Sequence, residues 1–190
     1  LFNYDSHAFF TSWLRSMRDD QMPDGRIPHV IPQVAIGGGS PGWQDAATIV
    51  PWDVYVRTGD SKVLADNFEM MERLVGWYRK TAKDHRILKI GAFGDWLQPY
   101  AKNTRGDTPA PLLGTAFYAL GADILTKSAN VLGRADDAKR YAEEAAAVKQ
   151  AFTAHYFDAD GKPQHAPGTH TAYLPALRLA LLPADLQANA

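Results

Sequence analysis

The sequence predicts an all-α fold built as two concentric layers of helices, and three observations carry that prediction. Apolar residues recur at helical spacing in six segments, with no alternating strand pattern of useful length between them. The helices alternate in character: the first, third and fifth are amphipathic, while the second, fourth and sixth are apolar nearly all round. A helix that is apolar on every side is buried on every side, so the second set forms an inner ring and the first an outer one. The connections alternate too. They are tight after helices two and four, around Gly59-Asp60 and Gly133-Arg134, and long before helices two, four and six, at roughly 22–44, 85–109 and 157–170. Helical hairpins wound round an axis in this way make an (α/α)6 toroid, of which six helices are about half.

Taken in order, the first helix is expected from Asp5 to Gln21. Phe9, Phe10, Trp13, Leu14 and Met17 share its face, Asp5 is its cap, and Pro23 with Gly25 ends it. The second runs from Asp45 to Arg57 and carries Ile49, Val50, Trp52, Val54 and Tyr55. The third runs from Ser61, its expected N-cap, to Asp84, with Leu64, Phe68, Met71, Leu74, Val75 and Tyr78 as its stripe. The fourth spans Ala110 to Leu132. The fifth spans Ala135 to Tyr156, with Lys139, Arg140, Glu143 and Glu144 on its solvent side. The sixth runs from Thr171 to Leu181, capped by Thr169 or Thr171.

Bulk properties exclude several functions. The 190 residues carry a net charge of −1, with a pI near 6.6. That balance offers phosphate backbones and anionic membranes no basic surplus, so no nucleic-acid or membrane partner is expected. With no cysteine, disulfides and thiolate metal sites are excluded. No apolar run reaches the roughly 18 residues needed to span a bilayer. The chain lacks an initiator Met and both ends look cut, so residues 1–190 are expected to be one partial domain, an internal segment of a longer protein.

Because the long loops alternate regularly, all of them fall at one end of the layers, where the N-termini of the inner helices point. Long connections in compact domains are usually functional, and helix N-termini present free N–H groups and partial positive charge. The first loop ends in Pro41-Gly42-Trp43-Gln44-Asp45 after Gly37-Gly38-Gly39; no Lys-Ser/Thr pair follows, so these glycines are no phosphate loop. The second carries Phe93-Gly94-Asp95-Trp96-Leu97. Trp offers a flat π-face to the C–H side of a sugar ring, and Asp accepts hydrogen bonds from vicinal hydroxyls. Trp43, Asp45, Asp95 and Trp96 are therefore candidate sugar-binding residues; Trp52, one turn into an inner helix, reads first as core and, being near the same rim, is a fifth candidate. The plainer reading makes Asp45 an N-cap and Trp43 a lid over the core. Trp13 and Trp77 read as core, and His7 and His29 as structural. His165 and His170, five residues apart in the third loop, are no metal signature. No cofactor is implied, and no pair of carboxylates stands out as acid and base: the Glu residues lie on outer-helix faces.

At these residues the sequence resembles the bacterial α-L-rhamnosidases of glycoside hydrolase family 78. The similar stretches are Phe2-Asn3-Tyr4-Asp5 through Trp13-Leu14-Arg15, Asp24-Gly25-Arg26-Ile27-Pro28-His29-Val30, and Gly42-Trp43-Gln44-Asp45-Ala46 leading to Val50-Pro51-Trp52. Phe93-Gly94-Asp95-Trp96-Leu97, Leu112 to Leu132 and Gly168-Thr169-His170-Thr171-Ala172 complete them. The resemblance implies an inverting hydrolase that releases terminal α-L-rhamnose from glycosides or oligosaccharides. It also implies that the general acid comes from an Asp/Arg/Glu-rich segment upstream and the general base from a later Trp-Glu segment, neither of which is in this sequence. Gln44 stands where that family often has Gly. Two alternatives stay open: another carbohydrate-active helical barrel, and a helical scaffold that binds protein partners.

Overall fold

The computed structural model describes residues 4–91, 93–182 and 184. Phe2 and Asn3, two residues of the first family-like stretch, lie outside them. The described elements are α1 (His7–Asp20), α2 (Ala46–Thr58), α3 (Ser61–Thr81), β1 (Ala82–Lys83), β2 (Arg86–Ile87), α4 (Ala110–Val131), α5 (Ala135–Tyr156) and α6 (His170–Arg178).

The six helices form where apolar spacing predicts them, and α5 keeps its predicted bounds. The caps differ. At α1 the N-cap position falls on Ser6, with no side-chain bond, rather than on Asp5. At α3 Asp60, one residue before the expected Ser61, accepts the Lys62 N–H at 2.9 Å. Of the two candidates at α6, Thr169 makes the cap, accepting from Ala172 N–H. α3 stops three residues short of Asp84 because Asp84 and His85 adopt left-handed backbone, φ 49° and 61°. Two consecutive left-handed residues make the tight turn of a β-hairpin, which pairs Ala82 with Ile87 and Lys83 with Arg86. The Ile87 N–H donates to the Thr115 hydroxyl at 3.0 Å, so the hairpin is pinned to α4.

The core lies between α3, α4 and α5, with Leu64, Phe68, Leu74, Tyr78, Leu112, Tyr118, Leu125, Tyr141 and Phe152 all buried. Of the inner set, α4 is covered most completely, with 13 of its 22 residues buried. α2 and α6 depart from the all-round burial expected of them: Val56 is 59% exposed and Leu174 60%. Among the described helices α6 packs chiefly on α4. Acidic and basic side chains lie on the outer surface, where Arg79 pairs with Glu144 at 2.6 Å and Arg140 with Glu72 at 2.9 Å.

Candidate functional site

The three long loops meet in front of α2, α4 and α6. The first closes in a tight turn: the Trp43 and Gln44 N–H groups both donate to the Ser40 carbonyl at 3.1 Å. Gly42 has φ +84°, a conformation that L side chains rarely adopt. Asp45 occupies the N-cap position of α2, yet its carboxylate caps nothing. It turns back to accept the Gly42 N–H at 2.8 Å and the Tyr78 hydroxyl at 3.0 Å. The expected N-cap role is thus not taken up, because Asp45 itself has helical backbone, φ −70° and ψ −8°.

Asp45 is also fully buried. Loss of hydration disfavours its charged form and pushes its pKa up to about 7, against the opposing effect of the Gly42 N–H and Tyr78 hydroxyl donors. Burial, then the neighbouring Asp45 charge, holds the Tyr78 hydroxyl well above its ordinary range. The Tyr78 ring is stacked on Tyr118 of α4 at 5.8 Å. The Gln44 side chain is buried as well; its amide lies beside the Tyr78 hydroxyl but closes no hydrogen bond.

Asp95 is bound differently. Its two oxygens accept from the Thr108 hydroxyl at 2.8 Å and the Thr171 hydroxyl at 2.6 Å, joining the second loop to α6. Since the Thr108 proton is committed to the carboxylate, Thr169 donates to Thr108 across their 2.6 Å contact, while its own oxygen accepts from Ala172 N–H. A directed chain therefore runs from the N-terminus of α6 through two threonines to Asp95. Gly106 is required beside it, because a Cβ there would stand 2.3 Å from the Asp95 Cβ.

Aromatic rings bridge the first two loops. Phe93 lies 5.2 Å from Trp43 and 5.4 Å from Trp96, so the two Trp rings flank one phenyl ring. Trp43 is 38% exposed and Trp96 54%. His29 lies 4.6 Å from Phe93 on its own account. Its Nδ1 faces the Ile36 carbonyl, which only accepts, so Nδ1 carries the proton and Nε2 accepts from the Ser40 hydroxyl at 2.9 Å. The Ser40 oxygen then takes the Phe93 N–H at 3.3 Å. His29 is a joint between loops, the structural role expected of it.

A cleft of about 440 Å³ opens here, lined among others by Trp43, Gly94, Phe117, Thr171, Leu174 and Arg178. Thr171 links it directly to Asp95. Asp45 offers it no surface, and Trp52, half-buried against Tyr55 at 5.5 Å, is not among its walls. Of the five candidates, then, Trp43 stands on the cleft wall, Asp95 lies one hydrogen bond behind it through Thr171, Trp96 reaches Trp43 only across Phe93, and Asp45, buried, and Trp52 line no part of it. Thr108, Thr171 and Tyr78 are not marked by sequence as site residues, Thr171 reading only as a possible helix cap. A Thr in a polar loop carries no local signal, and Tyr78 reads as one more core residue of α3. The stacked pair His155 and His165, 4.8 Å apart, lies outside the cleft.

All 190 residues match the family described as bacterial alpha-L-rhamnosidase 6 hairpin glycosidase domain. The chain belongs to this family. Among curated relatives, an alpha-L-rhamnosidase of Formosa agariphila is 40% identical over 193 residues, covering 100% of this chain and 21% of that one. One of Streptomyces avermitilis is 33% identical over 187 residues, covering 98% and 17%. The crystal structure of a Streptomyces avermitilis alpha-L-rhamnosidase complexed with L-rhamnose superposes with a TM-score of 0.86 at 32% identity, over 96% of this chain and 17% of that one. An alpha-L-rhamnosidase structure from Dictyoglumus thermophilum gives 0.90 at 29% identity, over 100% and 21%. The chain thus spans about a fifth of the length of these relatives. Its fold is an all-α partial six-hairpin barrel, and the apolar all-round character of α2 and α6 is that of inner helices in such a barrel.

Proposed function

We propose that the protein containing this chain hydrolyses terminal α-L-rhamnosides with inversion, and that this segment supplies one wall of the sugar pocket. The observation that carries the reading is the match of the whole chain to the rhamnosidase family, joined to a rim where two Trp rings and a loop-bridging Asp converge. Trp43 and Trp96 present π-faces to the C–H side of the sugar. Each Asp95 oxygen has one lone pair engaged by a Thr hydroxyl, leaving capacity for a sugar hydroxyl. Its negative charge and the ring π-density favour the positive, oxocarbenium-like transition state.

Inverting hydrolysis needs one carboxylic acid to protonate the leaving oxygen and one carboxylate to activate water, roughly 6.5–9.5 Å apart. The Glu residues hydrogen-bonded in this chain serve other ends: Glu72 takes Arg140 and Tyr141, and Glu144 takes Arg79 and Tyr118. The acid and base are assigned to flanking parts of the parent protein, so the separate chain is expected to be inactive. An aryl α-L-rhamnoside tests both points: the intact parent releases rhamnose and the separate chain does not. Turnover by the separate chain overturns the placement of the acid and base, and an inactive parent overturns the function.

A further inference from the structure

Among the described residues, Asp45 is the only buried Asp, Glu, His, Lys or Arg. A carboxylate withdrawn from water is costly unless donors replace the lost hydration, and the two donors here come from different places. Gly42 N–H belongs to the residue before Trp43, and the Tyr78 hydroxyl comes from α3. The Asp45 carbonyl meanwhile accepts from Thr48 and Ile49 N–H, at 3.0 and 2.9 Å, in the first turn of α2. One residue therefore ties the Trp43 turn, the start of α2 and the outer helix α3 together, and Tyr118 stacks behind Tyr78 to hold that anchor in place.

We propose that Asp45 is a positioning residue for Trp43: anchored by Tyr78, it holds Gly42 and so sets the Trp43 ring against the sugar, without itself touching substrate. The proposal rests on the rhamnoside reading of the cleft. Its buried state, which favours a retained proton near neutrality, adds a chemical consequence. A protonated Asp45 donates to the Tyr78 oxygen while its carbonyl oxygen still accepts from Gly42 N–H. Asn reproduces that pattern: its amide oxygen serves Gly42 and its NH₂ serves Tyr78.

The test uses Asp45→Ala, Asp45→Asn and Tyr78→Phe in the full-length parent, with two readouts. One is the kcat and KM split on an aryl α-L-rhamnoside; the other is hydrogen–deuterium exchange of the peptide covering residues 40–46. Tyr78→Phe is expected to raise KM about 3–10-fold with kcat within about two-fold, and to speed exchange of the turn about ten-fold. Asp45→Asn restores most of what Asp45→Ala loses on both readouts. If Asp45→Asn harms KM as much as Asp45→Ala while the turn exchanges at the wild-type rate, the carboxylate reads the sugar directly and the proposal falls. It falls too if Tyr78→Phe changes neither readout. Should Asp45→Ala not fold, the other two variants decide. Exchange needs no turnover, so an inactive parent defeats the rhamnoside reading and leaves the role in the turn still measured.

Discussion

Two short turns at the rim look alike in sequence and differ in construction. Gly42-Trp43-Gln44-Asp45 and Gly94-Asp95-Trp96 each set an Asp close to a Trp after a glycine. Asp45 is sealed beneath its turn and serves one backbone N–H and one buried phenol. Asp95 stays partly open and serves two threonine hydroxyls, one on the cleft wall. One carboxylate holds its own turn in shape; the other fastens two loops together and keeps lone pairs free. A shared residue pair is therefore no guide to a shared job. What decides the job is whether water, and hence a sugar hydroxyl, can reach the oxygen.

The largest expected difference between the turns is in stability. Asp45→Ala leaves Gly42 N–H and the Tyr78 hydroxyl as buried donors without acceptors, and is expected to cost about 3 kcal/mol. Asp95→Ala is expected to cost about 1 kcal/mol, since the Thr108 hydroxyl keeps its Thr169 contact. Urea unfolding of the parent variants followed by Trp fluorescence compares the two; equal losses would erase the distinction. On activity the order reverses in kind: Asp95→Ala is expected to lower kcat/KM about 100-fold, beyond anything its stability loss explains. Steady-state assays of fully folded protein check this.

A third expected effect follows from protonation. The folded pKa of Asp45, about 7, lies above its ordinary carboxylate value. The folded state therefore binds the proton more tightly than the unfolded one. Its contribution to stability is fully present at low pH, declines as pH rises from about 4 to about 7 and is flat above that. Asp45→Asn should remove this component from the pH profile of unfolding, and Asp95→Asn should leave it in place. The smallest expected effect is that of Thr171→Val, which deletes one hydroxyl donor to Asp95. It is expected to cost about 1 kcal/mol or less and a several-fold drop in kcat/KM, measured side by side with Asp95→Ala.

The helical skeleton was legible because burial imposes its own period on a sequence. α5 is a clear case, with Ala138, Tyr141, Val148 and Phe152 buried at helical spacing. The β1–β2 hairpin was not legible, since strands of two residues carry no period and the left-handed turn at Asp84-His85 lacks glycine. The rim followed from loop lengths, which show where loops gather but not which atoms meet. The Asp45–Tyr78 bond joins residues 33 positions apart, and the Thr108–Thr169 contact spans 61. Local pattern says nothing about either. The Asp45 carboxylate reads as sugar-facing because it stands beside Trp43 in a long rim loop; its burial is set by the backbone of the turn, which folds the side chain inward onto Gly42 N–H and Tyr78.

The most direct test is a crystal structure of the intact parent protein with L-rhamnose bound. The sugar is expected in the cleft before α2, α4 and α6, with Trp43 or Trp96 against its ring, Asp95 within hydrogen-bond distance of a hydroxyl, and Asp45 still closed on Gly42 and Tyr78. A sugar seated away from this rim, or one bonded directly to the Asp45 carboxylate, would contradict this arrangement.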